Sequence, residues 1–211
     1  WDGISSSCMD GSEEPLKIAT RTSKVRMLLS LPESSGMLLP SFKSTVRNRI
    51  KKAINEGFTS RIGGVELLKD FYGVFCVNMR DLGSPVHSVN LARNVLEEFP
   101  GQARLIVVYR GTEAVATALM LGISKTLRNP WVSSLRKYAL LSPNMFLYLR
   151  MLEYACDNGY RAFDFGRTSP GEGTYIFKEK WGAVPAPLHW HYISLNAEAP
   201  QPEGLGKERF E

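Results

Sequence analysis

The chain has 211 residues, with 26 Lys or Arg against 21 Asp or Glu, for a formal charge of +5. At 44% apolar and 22% charged it has the composition of an ordinary globular protein, which excludes a disordered chain, a collagen-like fibre and a disulfide scaffold. No apolar run approaches the roughly 20 residues of a membrane-crossing helix, and a charge of this size does not by itself assign nucleic acid as a partner.

Residues 1–16 are polar, with Ser5-Ser6-Ser7 and Asp10-Gly11, and predict a loose terminal segment. With Trp1 first and no charged-then-apolar leader behind it, the chain reads as a fragment or processed product of something longer. Residues 24–31 predict a strand stopped by Pro32. A helix is expected over Ser41–Glu56, after Pro40 and before Gly57, with Phe42, Val46, Ile50, Ala53 and Ile54 on one side. Its other side is basic through Lys43, Arg47, Arg49, Lys51 and Lys52. A short strand from Phe58 to Ile62 ends in Gly63-Gly64. Two helices follow, Val65–Asp81 and Ser88–Phe99, the second with Ser88 at its N-cap and Pro100 beyond its end.

The period then changes. Ala103–Tyr109 and Ala114–Ile123 predict a hairpin joined by Arg110-Gly111-Thr112-Glu113, and residues 130–141 a third extended stretch around Trp131. Ser142-Pro143-Asn144 marks a helix start, with the serine as cap and proline at the first helical position, and Gly159 closes that helix. Ala162–Phe165 is a short buried strand, residues 166–173 a glycine-flanked loop, Thr174–Trp181 a short helix and Leu188–Leu195 a last strand. The tail 197–211 is polar. From residue 58 the order is β-α-α-β-β-β-α-β-α-β, which predicts a mixed sheet with helices on its faces, an α/β (α+β) fold.

Cys8, Cys76 and Cys156 are few and widely spaced, with no CxxC pair, so a finger-type zinc site is not expected. Cys76 and Cys156 lie in apolar helical patterns, which predicts reduced thiols and a cytoplasmic protein. His189 and His191 share a strand face without a visible third ligand, so no metal is assigned. Neither a cysteine nor a serine sits in a nucleophile motif.

Four segments in fixed order carry a resemblance: Asn78-Met79-Arg80-Asp81-Leu82-Gly83-Ser84-Pro85-Val86, then Ser142-Pro143-Asn144, then Phe163-Asp164-Phe165-Gly166-Arg167, then Phe177-Lys178-Glu179-Lys180-Trp181-Gly182. Over about residues 24–196 the chain resembles the FemAB-like proteins associated with exosortase and exopolysaccharide (PEP-CTERM) systems, a branch of the GNAT acyltransferase superfamily. The resemblance implies the C-terminal half of a tandem pair of GNAT-type halves. Residues 1–56 would be the remnant of the preceding half and a joining helix, 57–196 the GNAT-like domain and 197–211 a tail. It implies transfer of an acyl or aminoacyl group to an amine of a cell-envelope or exopolysaccharide precursor. No cofactor is held; the donor is acyl-coenzyme A or aminoacyl-tRNA. A non-catalytic binding module and an ordinary coenzyme-A-dependent acetyltransferase are the rival readings.

Such a transfer needs a deprotonated amine, two partners held close and donors at the oxyanion. Lys178, Tyr175 and Asp164 are the catalytic candidates, and Arg167, Arg80, Asn144, Gly171 and Gly173 the binding candidates. Each has a plainer alternative. Arg167 could pair with Asp164 or Glu172, Asp164 could be a hydrogen-bonded structural carboxylate, and Arg80 could pair with Asp81. Lys178 could be a solvated helix lysine and Asn144 could support the cap. As a catalytic group, Lys178 is expected to lose activity on replacement by Ala with the melting temperature nearly unchanged. The basic side of the helix over 43–52 could be a solvated face, with tRNA, a nucleotide-linked sugar or an anionic membrane surface as its candidate partners. The superfamily's R/QxxGxG/A loop is missing: residues 136–144 contain no glycine, and Pro143 removes an N–H that a phosphate would use.

Overall fold

The structure, a computed structural model, describes residues 18–193. Those residues fall into two units. One comprises the described residues up to Ser23 and from Pro187 onward, and the other spans Lys24–Ala186. In the first, β1 (Ile18–Arg21) pairs antiparallel with β9 (Trp190–Ile193). The His189 and His191 rings lie 6.5 Å apart, and the described residues contain no cluster of three groups able to hold a metal ion.

The second unit is built on a seven-stranded mixed sheet. Its strands, in chain order, are β2 (Val25–Ser30), β3 (Thr59–Gly63), β4 (Ala103–Arg110), β5 (Glu113–Ile123), β6 (Thr126–Ser134), β7 (Ala162–Thr168) and β8 (Val184–Pro187). Across the sheet they run β3-β4-β5-β6-β7-β2-β8. The helices are α1 (Leu38–Ser41), α2 (Ser44–Asn55), α3 (Leu68–Asp81), α4 (Val89–Glu98), α5 (Pro143–Asp157) and α6 (Gly173–Lys180).

Both faces of the sheet are covered, which is why β4 and β5 are apolar almost throughout instead of alternating. Ile106, Val108, Ala118, Met120, Leu127, Phe163 and Phe165 join one core with residues of α2 and α5 and with Trp181 at the end of α6. Leu105, Val107, Tyr109 and Leu119 join a second core with Leu68, Phe71 and Phe75 of α3 and Ala92 and Leu96 of α4. On α2 the apolar stripe is Val46, Ile50 and Ala53, at helical spacing and all buried. Asn90 N–H donates to the Ser88 hydroxyl at 3.2 Å, the predicted cap of α4. No described helix is long and apolar enough to cross a membrane.

Several boundaries differ from the sequence reading. The helix expected from Ser41 starts at Ser44. Pro40 lies inside the short α1, and Phe42 between the two helices is extended and buried, edge-on to Trp181 at 5.3 Å. Ser142 opens α5 in the left-handed conformation at φ +57°, and its hydroxyl makes no cap bond, so the predicted serine cap is absent. The third strand starts at Thr126, not near Pro130, and residues 136–141 form 3-10 turns. Within the described residues the last strand, expected over Leu188–Leu195, is β9, and β8 before it was not expected. The expectations for residues 1–16 and 197–211 and for Cys8 lie outside the described residues.

Candidate active site

Strands β6 and β7 run parallel but pair over three rungs only, Thr126 with Ala162, Leu127 with Phe163 and Arg128 with Asp164. Beyond the third rung both strands bulge against their other neighbours. Leu121 and Leu119 of β5 face Arg128 and Trp131 of β6, so two residues of β6 oppose one of β5. Leu28 and Arg26 of β2 face Asp164 and Arg167 of β7, so two residues of β7 again oppose one. Gly166, at φ +78°, sits in that second bulge, a conformation an L side chain adopts only with strain. The ladder thus opens just past Arg128 and Asp164. Leu121, Ile123, Arg128, Asn129, Pro130, Asp164 and Gly166 line a cavity there of about 260 Å³.

Asp164 is the centre of this vertex. Phe163 and Phe165 enter the α5 core, so alternation turns Asp164 to the opposite face. Its side chain is buried at 4% exposure. Oδ1 accepts the Gly166 N–H at 2.8 Å, and Oδ2 lies 3.7 Å from Arg26 Nε and 3.5 Å from Arg128 Nε. The sequence reading had the carboxylate but neither arginine. Arg167 stands directly opposite Arg26 in the ladder. The Gly166 bulge brings it onto the face of Asp164, from which a regular strand would turn it away.

Lys178 reaches the same vertex from α6. It is buried, and its ammonium donates to the carbonyls of Gly166 at 3.2 Å and Arg167 at 2.9 Å. Burial pushes its pKa below the ordinary lysine value, and the Asp164 charge opposes that shift. It is therefore an anchored group rather than a solvated helix lysine. Its removal disturbs the bulge, so the expected unchanged melting temperature does not follow. Thr168 and Thr174 hydroxyls, 2.6 Å apart, tie β7 to the start of α6.

On the floor of the cavity Asn129 is buried, with its Nδ2 donating to the Tyr148 hydroxyl at 3.3 Å and its carbonyl oxygen without a partner. Burial raises the Tyr148 pKa to about 12. Asn144, one helical turn before Tyr148 on α5, also has a buried carbonyl oxygen without a partner. Sequence reasoning missed Asn129 and Arg128 because the strand was started too late. It missed Arg26 because strand 24–31 was read without a neighbour.

The other candidates neither line this cavity nor bond to Asp164. Tyr175 packs half-buried against the core. Gly171, exposed at φ +82°, and Gly173 border the start of α6. Arg80 is exposed at the end of α3 and bonded to Asp81 at 3.0 Å, as its plainer reading had it. The 3-10 turns over residues 136–141 lead through Ser142 into Pro143, so the start of α5 lacks a glycine-built phosphate cradle.

Residues 40–179 match the family described as an acetyltransferase (GNAT) domain. Among solved structures, FemX matches at 16% identity with a TM-score of 0.70, over 81% of this chain and 61% of that one. L-PGS from Bacillus licheniformis matches at 14% identity and TM-score 0.62, over 83% and 61%. A C-terminal domain described as that of a putative lysylphosphatidylglycerol synthetase from Agrobacterium fabrum matches at 13% and 0.64, over 83% and 61%. The chain thus spans 61% of the length of each of these proteins. No curated protein matches it. At such identities the structural likenesses speak to fold alone, while the family match covers most of the sheet, α2 to α5 and nearly all of α6; the chain belongs to the GNAT acetyltransferase-domain family.

Proposed function

We propose that the chain is the transferase half of a FemAB-like protein that moves an acyl or aminoacyl group onto an amine of a cell-envelope or exopolysaccharide precursor. The observation that carries this reading is the three-rung pairing of β6 and β7 with a cavity at its vertex. Strands that part in mid-sheet turn ladder N–H groups towards the gap. Fixed backbone donors of that kind suit the oxyanion that forms when an amine attacks an acyl carbonyl. The amine lone pair forms the new C–N bond, the acyl–donor bond breaks, and the proton shed by the amine balances the one taken by the leaving group. The sequence candidates keep distinct parts in this scheme. Lys178 fixes the bulged end of β7 and places positive charge behind the vertex, while Arg167 binds anionic parts of the substrates. The oxygens of Asp164 are already engaged, which favours a positioning part for it over proton transfer and leaves Tyr175 as the candidate from the sequence for that step.

The donor we favour is aminoacyl-tRNA. The glycine-free entry to α5 is poorly suited to a coenzyme A pyrophosphate, whereas Lys43, Arg49, Lys51 and Lys52 give α2 a basic side for a polynucleotide. The test incubates the chain, alone and joined to an N-terminal half, with aminoacyl-tRNA or acyl-coenzyme A and amino-bearing envelope precursors, and reads products by mass spectrometry. An N-acylated product supports the transfer, and its donor selects between the two chemistries. No product from the chain in either form turns the reading towards a binding module.

A further inference from the structure

We propose that Arg26 and Arg128 form an oxyanion-binding site at the vertex, and that the acceptor of the transfer carries the phosphate or carboxylate it holds. The second half of this statement rests on the transferase reading; the site itself rests on geometry and charge. One carboxylate is neutralised by one guanidinium. At Asp164 two guanidinium groups converge on the same oxygen, with the Lys178 ammonium close enough to act on the carboxylate through its charge. Among the described residues, two guanidinium groups against one carboxylate leave an excess of positive charge beside a cavity, which attracts an anion.

The contact geometry points the same way. Both guanidinium groups approach Asp164 through Nε, at 3.5 and 3.7 Å, longer than hydrogen bonds. Their Nη ends therefore lie farther from the carboxylate and are the donors that match an oxyanion fork. Arg128 Nε is buried without any hydrogen-bond partner. Buried donors ordinarily find partners, and here the Asp164 carboxylate at 3.5 Å supplies charge without a hydrogen bond. Both arginine side chains remain about a third exposed, at 34% and 39%, while the carboxylate between them is at 4%. That is an arrangement with reachable cations on a hidden anchor. The cavity of about 260 Å³ beside Arg128 and Asp164 exceeds the roughly 30 Å³ share of a single water several-fold. Asp164 thus acts as a positioning residue that keeps two like charges together until a ligand oxyanion bridges them.

The test titrates the full chain with orthophosphate, pyrophosphate or glutarate at low ionic strength, by calorimetry and thermal shift. Arg26→Gln, Arg128→Gln and Arg128→Lys are compared with Arg93→Gln on α4 as a surface control. Saturable binding is expected for the wild type and for Arg93→Gln. Each glutamine variant should weaken it by about tenfold or more, and Arg128→Lys by less, because charge survives without the fork. A preference for the phosphates assigns a phosphate-bearing acceptor, and a preference for glutarate a carboxylate-bearing one. Should Arg128→Gln fail to fold, Arg26→Gln and Arg128→Lys carry the comparison. Absence of saturable binding to the wild type, or binding that the arginine variants leave unchanged, overturns the site. Anion binding without any acyl transfer overturns the transferase reading and leaves the site. Turnover whose acceptor KM ignores Arg26→Gln and Arg128→Gln does the reverse.

Discussion

At Lys178 a charged side chain has been taken out of water to hold two carbonyl groups of a bulged strand. Replacing it with Ala leaves the carbonyls of Gly166 and Arg167 short of a donor, at a cost of about 1–3 kcal/mol. For a chain of this size that lowers the melting temperature by roughly 2–4 °C per kcal/mol, measurable by calorimetry alongside the loss of turnover. The pKa shift gives a second handle. The folded pKa lies below the ordinary 10.5, so between that lowered value and 10.5 the unfolded chain binds more protons and stability rises with pH. Two tyrosines act in the opposite sense. Burial raises Tyr148 to about 12, and burial with the hydrogen bond to Asp70 does the same for Tyr109. Their stabilisation is complete below pH 10 and is lost as pH rises towards 12. Tyr148→Phe should flatten part of that alkaline fall, and absorbance titration should lose one of the tyrosinates that form late.

The bulge at Gly166 is the element on which the vertex turns. A Cβ there meets nothing within 4 Å, so Gly166→Ala is penalised by backbone conformation alone. About 1–2 kcal/mol is expected from φ +78°, read by chemical denaturation. Because the bulge sets which face Arg167 occupies, the same variant should weaken substrate affinity more than it weakens the fold. Elements of this kind also mark where the sequence was readable. The long amphipathic α3, the capped α4 and the hairpin of β4 and β5 follow from periodicity and turn chemistry, and all appear close to where they were expected. The start of β6 does not, because Thr126-Leu127-Arg128-Asn129 shows no run of β-branched residues and Pro130 argues against a central strand. Pro130 is tolerated because β6 faces an opening there instead of a full ladder. Asp164 and Lys178 were visible as unusual residues in apolar settings. Their partners were not, because Arg26, Arg128 and Gly166 meet them only through strand order.

Across the described residues, burial is strongest where β4, β5 and α5 meet, since most residues of these elements lie in or against one of the two cores. The three-rung joint of β6 and β7 has far less ladder to lose. Hydrogen exchange should accordingly protect the amides of β4 and β5 most strongly, with β6 and β7 beyond Arg128 and Asp164 exchanging sooner and slowing when an oxyanion binds. Uniform protection of the β6 amides that face β7 would contradict a ladder that ends at its third residue. Architecture at this scale was legible from the order of elements alone; the strand order, which makes neighbours of β7 and β2, was not.

The two borders of the sheet are unlike each other. β3 presents an ordinary outer strand, whereas β8, at the opposite border, reads Val-Pro-Ala-Pro. Pro185 and Pro187 have no amide hydrogen to offer an incoming strand. That border is blunted: an incoming strand finds at most two backbone N–H groups on β8, those of Val184 and Ala186, and the sheet is correspondingly protected against the strand-to-strand association that begins aggregation.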